Sequence, residues 1–463
     1  MEQKQVTSMD IGSDAPSSGM KNTGGDRVRS GLLKTNHLDY RLKPDLSVAV
    51  EKRIIKQWAQ NQIFTEGNLL TFQLSSGADF VDFSNSWLSF NIRITSGEAN
   101  TKYNFGGRSN DAGVAQDSLV GSCLNLFERV QIESRDGSEI CRIDNFNVLA
   151  AHALFLKHDQ QYYNTVAKTE LIGSTWSDGL DVASGNVRVV IPMRRLCGFF
   201  AYDKLTPSMV ASGMKITIQL ARANQAFCGT KANGVLATTT SPLQYELNDC
   251  YLQLQSYRLT DSIVKSLMQL SSTQGLELVW SEYWHTRGTS NQESVNLEVR
   301  KAVSRALGSV VIPRRTDSDG DVRYNSFASP WAITQHQWRC GSTFFPQAPI
   351  SASSSAGTKF ESYYYLLDSL HRTKCGRTPK LTLQDFTDSC GISSCDLERS
   401  AVLSLAGLPI NNSRTLTFQG KLEPVPDRTT PTNPATEQGR LYDFFLSYVT
   451  LARVFLNNIE VEI

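Results

Sequence analysis

Three cysteines in the last quarter of the chain are the residues best suited to bind a metal ion. Cys375, Cys390 and Cys395 carry thiols, whose ionised form is a favoured zinc ligand. A structural zinc site needs four ligands, commonly in two close pairs, and the nine cysteines are scattered without a CxxC pair. The sequence therefore predicts neither a zinc site nor a disulfide framework. Reduced cysteines within strands are expected, as suits assembly inside a cell.

A second candidate cation site is the acidic segment Asp317, Asp319 and Asp321 around Gly320. Alternating carboxylates open the calcium loop of an EF-hand. Here the glycine is misplaced, and Ala328 stands where the bidentate glutamate would be. The segment is therefore interpreted as a polar turn.

Signatures of catalysis are absent from the sequence. There is no GxSxG, HExxH, GxxxxGK[ST] or Rossmann glycine fingerprint. The six histidines are dispersed, and His285 and His336 lie in aromatic, strand-like contexts that favour a structural, hydrogen-bonded role. We predict no catalytic, cofactor-binding or metal-binding residues, no cofactor, and no enzymatic activity.

Two further segments resemble binding sites. Tyr363, Tyr364 and Tyr365 are a possible stacking platform for bases or sugars, but consecutive helical positions point in different directions, which favours packing plus a subunit contact. Asn411 begins a glycosylation sequon, which is interpreted as a turn because no signal peptide accompanies it.

Composition narrows the class of protein. A chain of 463 residues fits two domains, and a net charge of +1 provides no large field for wrapping nucleic acid. Alternating runs rich in β-branched and aromatic residues outnumber helical ones, which predicts a mainly β protein. No apolar run is long enough to span a membrane, and Met1–Asp10 has no secretory core.

A strand pair followed by a helix occurs twice in the sequence. The first copy is Leu126–Ser134, the turn Asp136-Gly137, Glu139–Ile143 and a helix over Asn145–Leu156. The second copy is Trp331–Arg339, the turn Cys340-Gly341, Thr343–Phe345 and a helix over Phe360–Leu370. A type I′ turn at Asp136-Gly137 would set Ile132 opposite Cys141 and Val130 opposite Ile143.

The two helices also match position for position. Apolar stripes are expected at Phe146, Leu149, Ala153 and Leu156 in the first, and at Phe360, Tyr363, Leu367 and Leu370 in the second. Two ordinary hairpins with ordinary helices are the alternative. The parallel order of the flanking segments favours internal duplication.

The predicted fold is mainly β, with two tandem jelly-roll β-sandwiches of about eight strands, each with a short inserted helix. Residues 1–64 comprise an N-terminal arm (1–36) and a short helix over Val48–Trp58, which has Val50, Ile54 and Trp58 on one side. The first jelly roll spans 65–259. A connecting helix at 260–274 begins at Thr260 or Asp261 and has Ile263, Leu267 and Leu270 on its apolar side, and the second jelly roll spans 275–463. Long loops are expected at about 96–122, 160–186, 222–243, 315–330 and 420–440.

This arrangement resembles the double jelly-roll major capsid proteins, in particular those of virophages and polinton-like viruses of protists. The segments that carry the resemblance are Phe127–Ile143, Ser342–Gln347 and Leu451–Val461, and it covers residues 65–463. It implies a pseudo-hexameric homotrimer that tiles an icosahedral virion shell assembled inside the host cell. The implied partners are neighbouring capsomers and penton and minor capsid proteins. The chain is short for that family, so small surface towers are expected.

The arm residues Lys21, Arg27, Arg29 and Lys34 are expected to contact nucleic acid weakly at most, and a merely solubilising tail is the favoured interpretation. The alternative function is a carbohydrate- or ligand-binding β-sandwich with Trp280, Tyr283 and Trp284 along a groove. A jelly-roll enzyme of cupin type would need clustered metal ligands that the sequence lacks.

Overall fold

A computed structural model of the chain describes the following residues: 49–75, 77, 79–105, 122–157, 161–162, 165–171, 179–231, 243–290, 294–315, 333–352, 359–372, 383, 386, 392–399, 406–421, 440–455 and 459–462. The loops predicted at about 315–330 and 420–440 fall almost wholly outside these residues, as do the first 48 residues and Pro424–Pro434. The loops predicted at about 96–122 and 222–243 are partly wrong, because Thr101–Phe105 and Phe227–Lys231 are strands that pair with each other. The described part of 160–186 contains helical turns at Val166–Glu170 and Val182–Ser184.

Strands dominate the described chain. In the first half they are β1 Ala49–Trp58, β2 Ile63–Thr65, β3 Leu69–Gln73, β4 Phe80–Ser96, β5 Thr101–Phe105, β6 Phe127–Glu133, β7 Glu139–Asp144, β8 Val187–Pro192, β9 Lys215–Leu220, β10 Phe227–Lys231 and β11 Gln244–Leu259. In the second half they are β12 Leu276–Ser290, β13 Ser294–Val299, β14 Val303–Arg315, β15 Gln335–Cys340, β16 Thr343–Ser351, β17 Ser393–Asp396, β18 Leu408–Ile410, β19 Leu416–Lys421, β20 Arg440–Val454 and β21 Ile459–Glu462. The longer helices are α1 Phe146–Lys157, α2 Asp261–Thr273 and α3 Lys359–Arg372, and single helical turns lie at Ser208–Ala211 and Ala223–Ala226.

The two halves have the same strand order. The sheets of the first half run β1-β11-β4-β8 and β3-β9-β6-β7, and those of the second run β12-β20-β14-β17 and β13-β19-β15-β16. Each half thus has eight main strands, which are the strands of these two sheets counted in chain order. In both halves the first main strand lies beside the eighth, the second lies beside the seventh, and neighbours are antiparallel. The helices α1 and α3 occupy the same place, between the fifth and sixth main strands. Two antiparallel sheets in this order form a jelly roll, so the predicted pair of jelly rolls with inserted helices is confirmed.

Apolar side chains at alternate strand positions build the core. Leu70, Phe72, Ile216 and Ile218 are fully buried in the first half, on strands that the alternation predicted. A second cluster, which includes Trp338 and Phe418, lies within the second half. The larger cluster of the first half also includes Trp280 and other residues of the second half. The two sandwiches therefore share one apolar boundary.

The predicted hairpin register is confirmed, whereas the predicted turn type is wrong. Val130 pairs with Ile143 and Ile132 with Cys141. Gly137 has a φ of +86°, but Asp136 is not among the residues with positive φ, which type I′ would require. The Gly137 N–H instead donates to the Ser134 carbonyl at 3.1 Å, and the register shifts beside Glu133. A turn followed by a left-handed glycine is the bulged hairpin form.

The predicted helix over Val48–Trp58 is wrong, because residues Ala49–Trp58 form the strand β1. This strand pairs antiparallel with β11 along almost its whole length, from Ala49 opposite Leu259 to Trp58 opposite Tyr251. The spacing of Val50, Ile54 and Trp58 suits one side of a helix and also the even-numbered face of a strand. Backbone pairing with the distant strand β11 stabilises the strand rather than the helix.

The apolar stripe predicted for α3 is also partly wrong. Phe360 is 52% exposed, and the buried positions are Ser362, Leu366 and Ser369. In α1, Phe146 and Leu149 are buried as expected, whereas the side chains of Ala153 and Leu156 fall outside the described set.

The connecting helix α2 begins directly after Thr260, as predicted. Ile263 and Leu267 are half-buried, but Leu270 is 40% exposed. Ser271 is the buried residue of this helix, and its hydroxyl donates to the Val454 carbonyl at 3.0 Å.

Candidate functional site

Strand β12 lies at the junction between the two sandwiches. Phe199 of the first half meets Trp280 edge to face, with ring centroids 5.2 Å apart. Gly198 lies so close to the Ser281 backbone that a Cβ at this position would overlap the Ser281 carbonyl oxygen. Glycine is needed here for close approach of two backbones, which fixes the two halves at short range.

A buried polar cluster extends this junction. Asp443 of β20 is completely buried, and three side chains of the second half approach its carboxylate. Arg314 Nε donates to Oδ2 at 2.6 Å, Arg287 Nε donates to Oδ1 at 2.8 Å, and His285 Nε2 lies 2.8 Å from Oδ1. Burial opposes ionisation of Asp443, but the Arg314 guanidinium and the hydrogen bond from His285 hold the pKa of that carboxyl well below its usual range. The carboxylate is therefore charged and compensated inside the protein.

Asn145 of the first half completes the cluster. It lies between β7 and α1 with a φ of +50°, a left-handed conformation that asparagine tolerates. Its Oδ1 accepts from Arg287 Nη2 at 2.7 Å, and its Nδ2 lies 3.2 Å from His285 Nδ1. Because Arg287 and His285 both contact Asp443, one hydrogen-bonded network spans the two sandwiches.

Glu282 is a second buried carboxyl at the junction. It is 2% exposed and accepts from Trp280 Nε1 at 3.2 Å and from the Tyr283 N–H at 3.2 Å. Cys141 of the first half also contributes a side-chain hydrogen bond, and burial outweighs these partners and raises the pKa of Glu282 from 4.5 to about 7. The group is thus largely protonated in mildly acidic solution.

His285 and His336 have the structural, hydrogen-bonded role that was predicted for them. His285 belongs to the junction network. His336 is 1% exposed, its Nε2 lies 3.0 Å from Ser362 Oγ of α3, and its ring packs against Trp338. Burial lowers the pKa of His336 to about 3, so this ring is neutral.

The tyrosine run does not form a flat platform. Tyr364 is 68% exposed, whereas Tyr363 and Tyr365 are half-buried, and the Tyr363 ring packs 5.3 Å from Phe386. The packing part of the prediction is confirmed. Asn411 forms the predicted turn, since its Oδ1 accepts from the Ser413 N–H at 3.1 Å.

Of the metal-ligand candidates, Cys395 is buried in β17, and burial raises the pKa of its thiol. Cys375, Cys390, Asp317, Asp319 and Asp321 fall outside the described residues. Within the described part of the chain, no group of three or more His, Cys, Asp or Glu side chains is arranged to hold a metal ion.

The aromatic residues of the alternative ligand groove do not line a common groove. Trp280 is 4% exposed and belongs to the core, and Tyr283 points to the other side of β12 from Trp280 and Trp284. A cleft of about 440 Å³ does exist elsewhere, between β16, β17 and α3. Its lining includes the charged residues Asp368, Asp396, Glu398, Arg399 and Arg414 and none of these three aromatics.

The junction residues Asn145, Arg287, Arg314 and Asp443 were not predicted from the sequence to act together. One signal was available, because Asp443 is a single charge inside the apolar run Leu441–Leu446. A lone carboxylate in a buried strand requires a partner. Its partners lie 129 to 158 residues away, beyond the reach of any local pattern.

Comparison with known proteins identifies the architecture. No family model matches the chain, and no curated protein sequence matches it. Solved structures match over almost the whole length. The Faustovirus major capsid protein has a TM-score of 0.59 at 11% identity over 94% of this chain and 95% of that one. The chain has the double jelly-roll fold.

Two further structures agree on the double jelly roll. A chain of the Sputnik virophage has a TM-score of 0.57 at 10% identity and covers 98% of this chain and 95% of its own. A chain of the PBCV-1 virus capsid has a TM-score of 0.55 at 11% identity, with 91% and 98% covered. The Faustovirus and PBCV-1 structures are those of a major capsid protein and of a virus capsid. Among the described residues of this double jelly roll, no helix has the length and apolar character to cross a membrane.

Proposed function

We propose that this chain is a major capsid protein that assembles into pseudo-hexameric trimers and tiles an icosahedral virion shell. The observation that carries the proposal is the repeated strand order of the two sandwiches. Two similar modules in one chain supply six near-equivalent corners to a ring of three chains. A protein that tiles a surface with hexagonal units needs two such similar modules, whereas a ligand-binding β-sandwich does not.

The junction supports this proposal physically. A pseudo-hexagonal capsomer needs its two modules at one fixed angle, because variation in that angle would accumulate across a shell. The Asn145 bridge, the Gly198 contact and the shared apolar cluster hold the modules together with directional and apolar contacts. A domain interface of this kind resists the relative motion that small polar interfaces allow.

We propose the following domain layout, which the strand positions support. The first jelly roll begins at β1 rather than at residue 65, the helix α2 connects the modules, and the second jelly roll begins at β12. In this layout residues 1–48 are an arm that ties neighbouring capsomers together, with weak nucleic-acid contact at most. Penton and minor capsid proteins are the further partners, and the protein acts as structural material of the virion rather than as an enzyme.

Size-exclusion chromatography with light scattering tests the proposal. The purified chain should elute as a trimer at micromolar concentration, and electron microscopy of concentrated samples should show hexagonal particles. A monomer that binds glycans measurably would instead support the alternative function. A monomer without glycan binding would remove both.

A further inference from the structure

The outward face of β1 carries an exposed apolar and basic stripe. Val50, Ile54 and Trp58 are 66%, 59% and 55% exposed. Ile54 and Trp58 lie on the even-numbered side of the strand, and Val50 stands at a β-bulge at the start of the strand. Lys52 and Lys56, both exposed, lie between them on the same side. We name these five residues the β1 stripe. A solvated sheet face is usually polar, so a row of apolar side chains indicates a covered surface.

The β1 stripe and its neighbours on the same sheet face are rich in the residue types that are enriched at protein interfaces. Trp58 packs on Tyr251 of β11 with ring centroids 5.1 Å apart. The Lys56 ammonium lies 4.7 Å from the Tyr251 ring, and the Arg188 guanidinium also lies 4.7 Å from it. Ile63, which pairs with β11 next along the chain, is 57% exposed and extends the apolar row. Trp, Tyr and Arg are the residues most enriched at the energetic centres of interfaces.

The second module has an exposed surface of opposite character on α3. Phe360 is 52% exposed and Tyr364 is 68% exposed, and they lie one turn apart on the outward side of the helix. Glu361 is exposed beside Phe360. Asp368, one turn after Tyr364, is half-buried and also lines the cleft between β16, β17 and α3. Lys359 precedes them at the helix start and is half-buried. We name Phe360, Glu361, Tyr364 and Asp368 the α3 patch.

We infer that the β1 stripe of one chain binds the α3 patch of a second copy of the same chain. This inference rests on the proposed trimer and names the surfaces that form it. Lysines of the β1 stripe meet carboxylates of the α3 patch, and the apolar side chains on both surfaces become buried together. Pairing of two β1 stripes would instead place Lys52 and Lys56 against their own copies, which like-charge repulsion disfavours.

The geometry of this contact fits a closed ring. The β1 stripe belongs to the first module and the α3 patch to the second, so each contact joins different modules of two chains. Contacts between two unlike surfaces are heterologous, and they close into a ring when the rotation between copies is suitable. Three such contacts alternate the modules around a threefold axis.

Charge reversal tests the inference with the full-length protein. Lys52→Glu combined with Lys56→Glu should raise the dissociation constant of the trimer at least tenfold by light scattering and sedimentation. Adding Glu361→Lys to the same chain should recover much of the lost affinity, because the contact again pairs opposite charges. Recovery by a second charge change distinguishes a direct contact from a general loss of stability.

An apolar test accompanies the charge test. Ile54→Ser and Tyr364→Ser should each shift trimers toward monomers while circular dichroism and the melting temperature of the monomer stay unchanged. Val182→Ser and Met268→Ser are the matched controls, because these residues are 52% and 43% exposed and belong to neither surface. Both control variants should keep the molar mass of the trimer in light scattering.

The outcomes separate this inference from the proposed function. A wild-type trimer that all of these variants retain would overturn the assigned surfaces but leave the capsid function intact. Dimers formed through the β1 stripe would overturn the inference in the same way. A wild-type monomer would remove the proposed function itself.

Discussion

Arg314 Nε donates a hydrogen bond of 2.6 Å to Asp443 Oδ2, with the arginine side chain 4% exposed and the aspartate fully buried. A buried charge pair costs desolvation free energy, and removal of one partner leaves the other charge uncompensated. This pair lies next to the bridge from Asn145, at the boundary of the two modules. Its integrity should therefore control how firmly the modules are held together.

Asp443→Asn should strongly destabilise the protein. The substitution keeps the side-chain shape but leaves Arg314 charged and buried, so we expect a loss of about 3–5 kcal/mol in the free energy of unfolding. Denaturant titration measures it. Glu246→Gln is the control, because Glu246 pairs with Arg93, which is 45% exposed, and this change should cost less than about 1 kcal/mol. Equal effects of the two substitutions would contradict the role of the cluster.

Glu282 should make stability depend on pH between about 4.5 and 7. Its pKa is raised from 4.5 to about 7 in the folded state, so the folded protein binds the additional proton in this window. The free energy of unfolding therefore falls by about 3 kcal/mol as pH rises through this window. Above the window the contribution of Glu282 no longer changes with pH. Glu282→Gln should remove this contribution. The difference in unfolding free energy between the two proteins at pH 5, 6, 7 and 8 isolates it, since other groups cancel, and a pH-independent difference would refute the assignment.

Gly198→Ala should loosen the junction. The added methyl group would overlap the Ser281 carbonyl oxygen and lie 2.9 Å from its carbonyl carbon, so a backbone must move. We expect a destabilisation of about 1–3 kcal/mol, together with a changed near-ultraviolet circular dichroism signal from Trp280. Gly288→Ala is the comparison, because its methyl group would meet the end of the flexible Leu297 side chain. A smaller effect at Gly198 than at Gly288 would contradict the close approach of the modules.

Deletion of residues 1–36 should leave trimers intact and impair closed shells. The sequence of this segment lacks apolar periodicity, so it contributes little to either core. Light scattering measures the trimer, and electron microscopy counts closed particles. Dissociation of the trimer in the shortened protein would assign the segment to the trimer contact instead.

Local patterns predicted most strands and one register correctly. The pairs Val130–Ile143 and Ile132–Cys141 followed from a short turn between two alternating segments, and only the turn geometry was wrong. Alternation also placed Leu70, Phe72, Ile216 and Ile218 in the core. These features depend on neighbours within a few residues, which is the range over which sequence patterns are informative.

The error at β1 has a physical cause. Val50, Ile54 and Trp58 repeat every four residues, a spacing shared by a helix side and by alternate positions of one strand face. The edge of the sheet at β11, two hundred residues later, decides between them. Propensity is weaker than a ladder of backbone hydrogen bonds with a distant strand.

The junction could not be predicted, for a related reason. Asn145, Arg287 and Asp443 come from three distant segments, and only the docking of the modules brings them together. Local patterns indicate the strands that form each sandwich, whereas the side chains that join the two sandwiches are recognised only in the three-dimensional structure.

The apolar cluster that crosses the junction has a consequence for the two modules as separate entities. A chain divided within α2 would expose Leu278, Trp280 and Phe445 to water on one fragment and their packing partners on the other. Such fragments would aggregate or reassociate with each other. Each jelly roll therefore depends on the other to keep its apolar surface away from water.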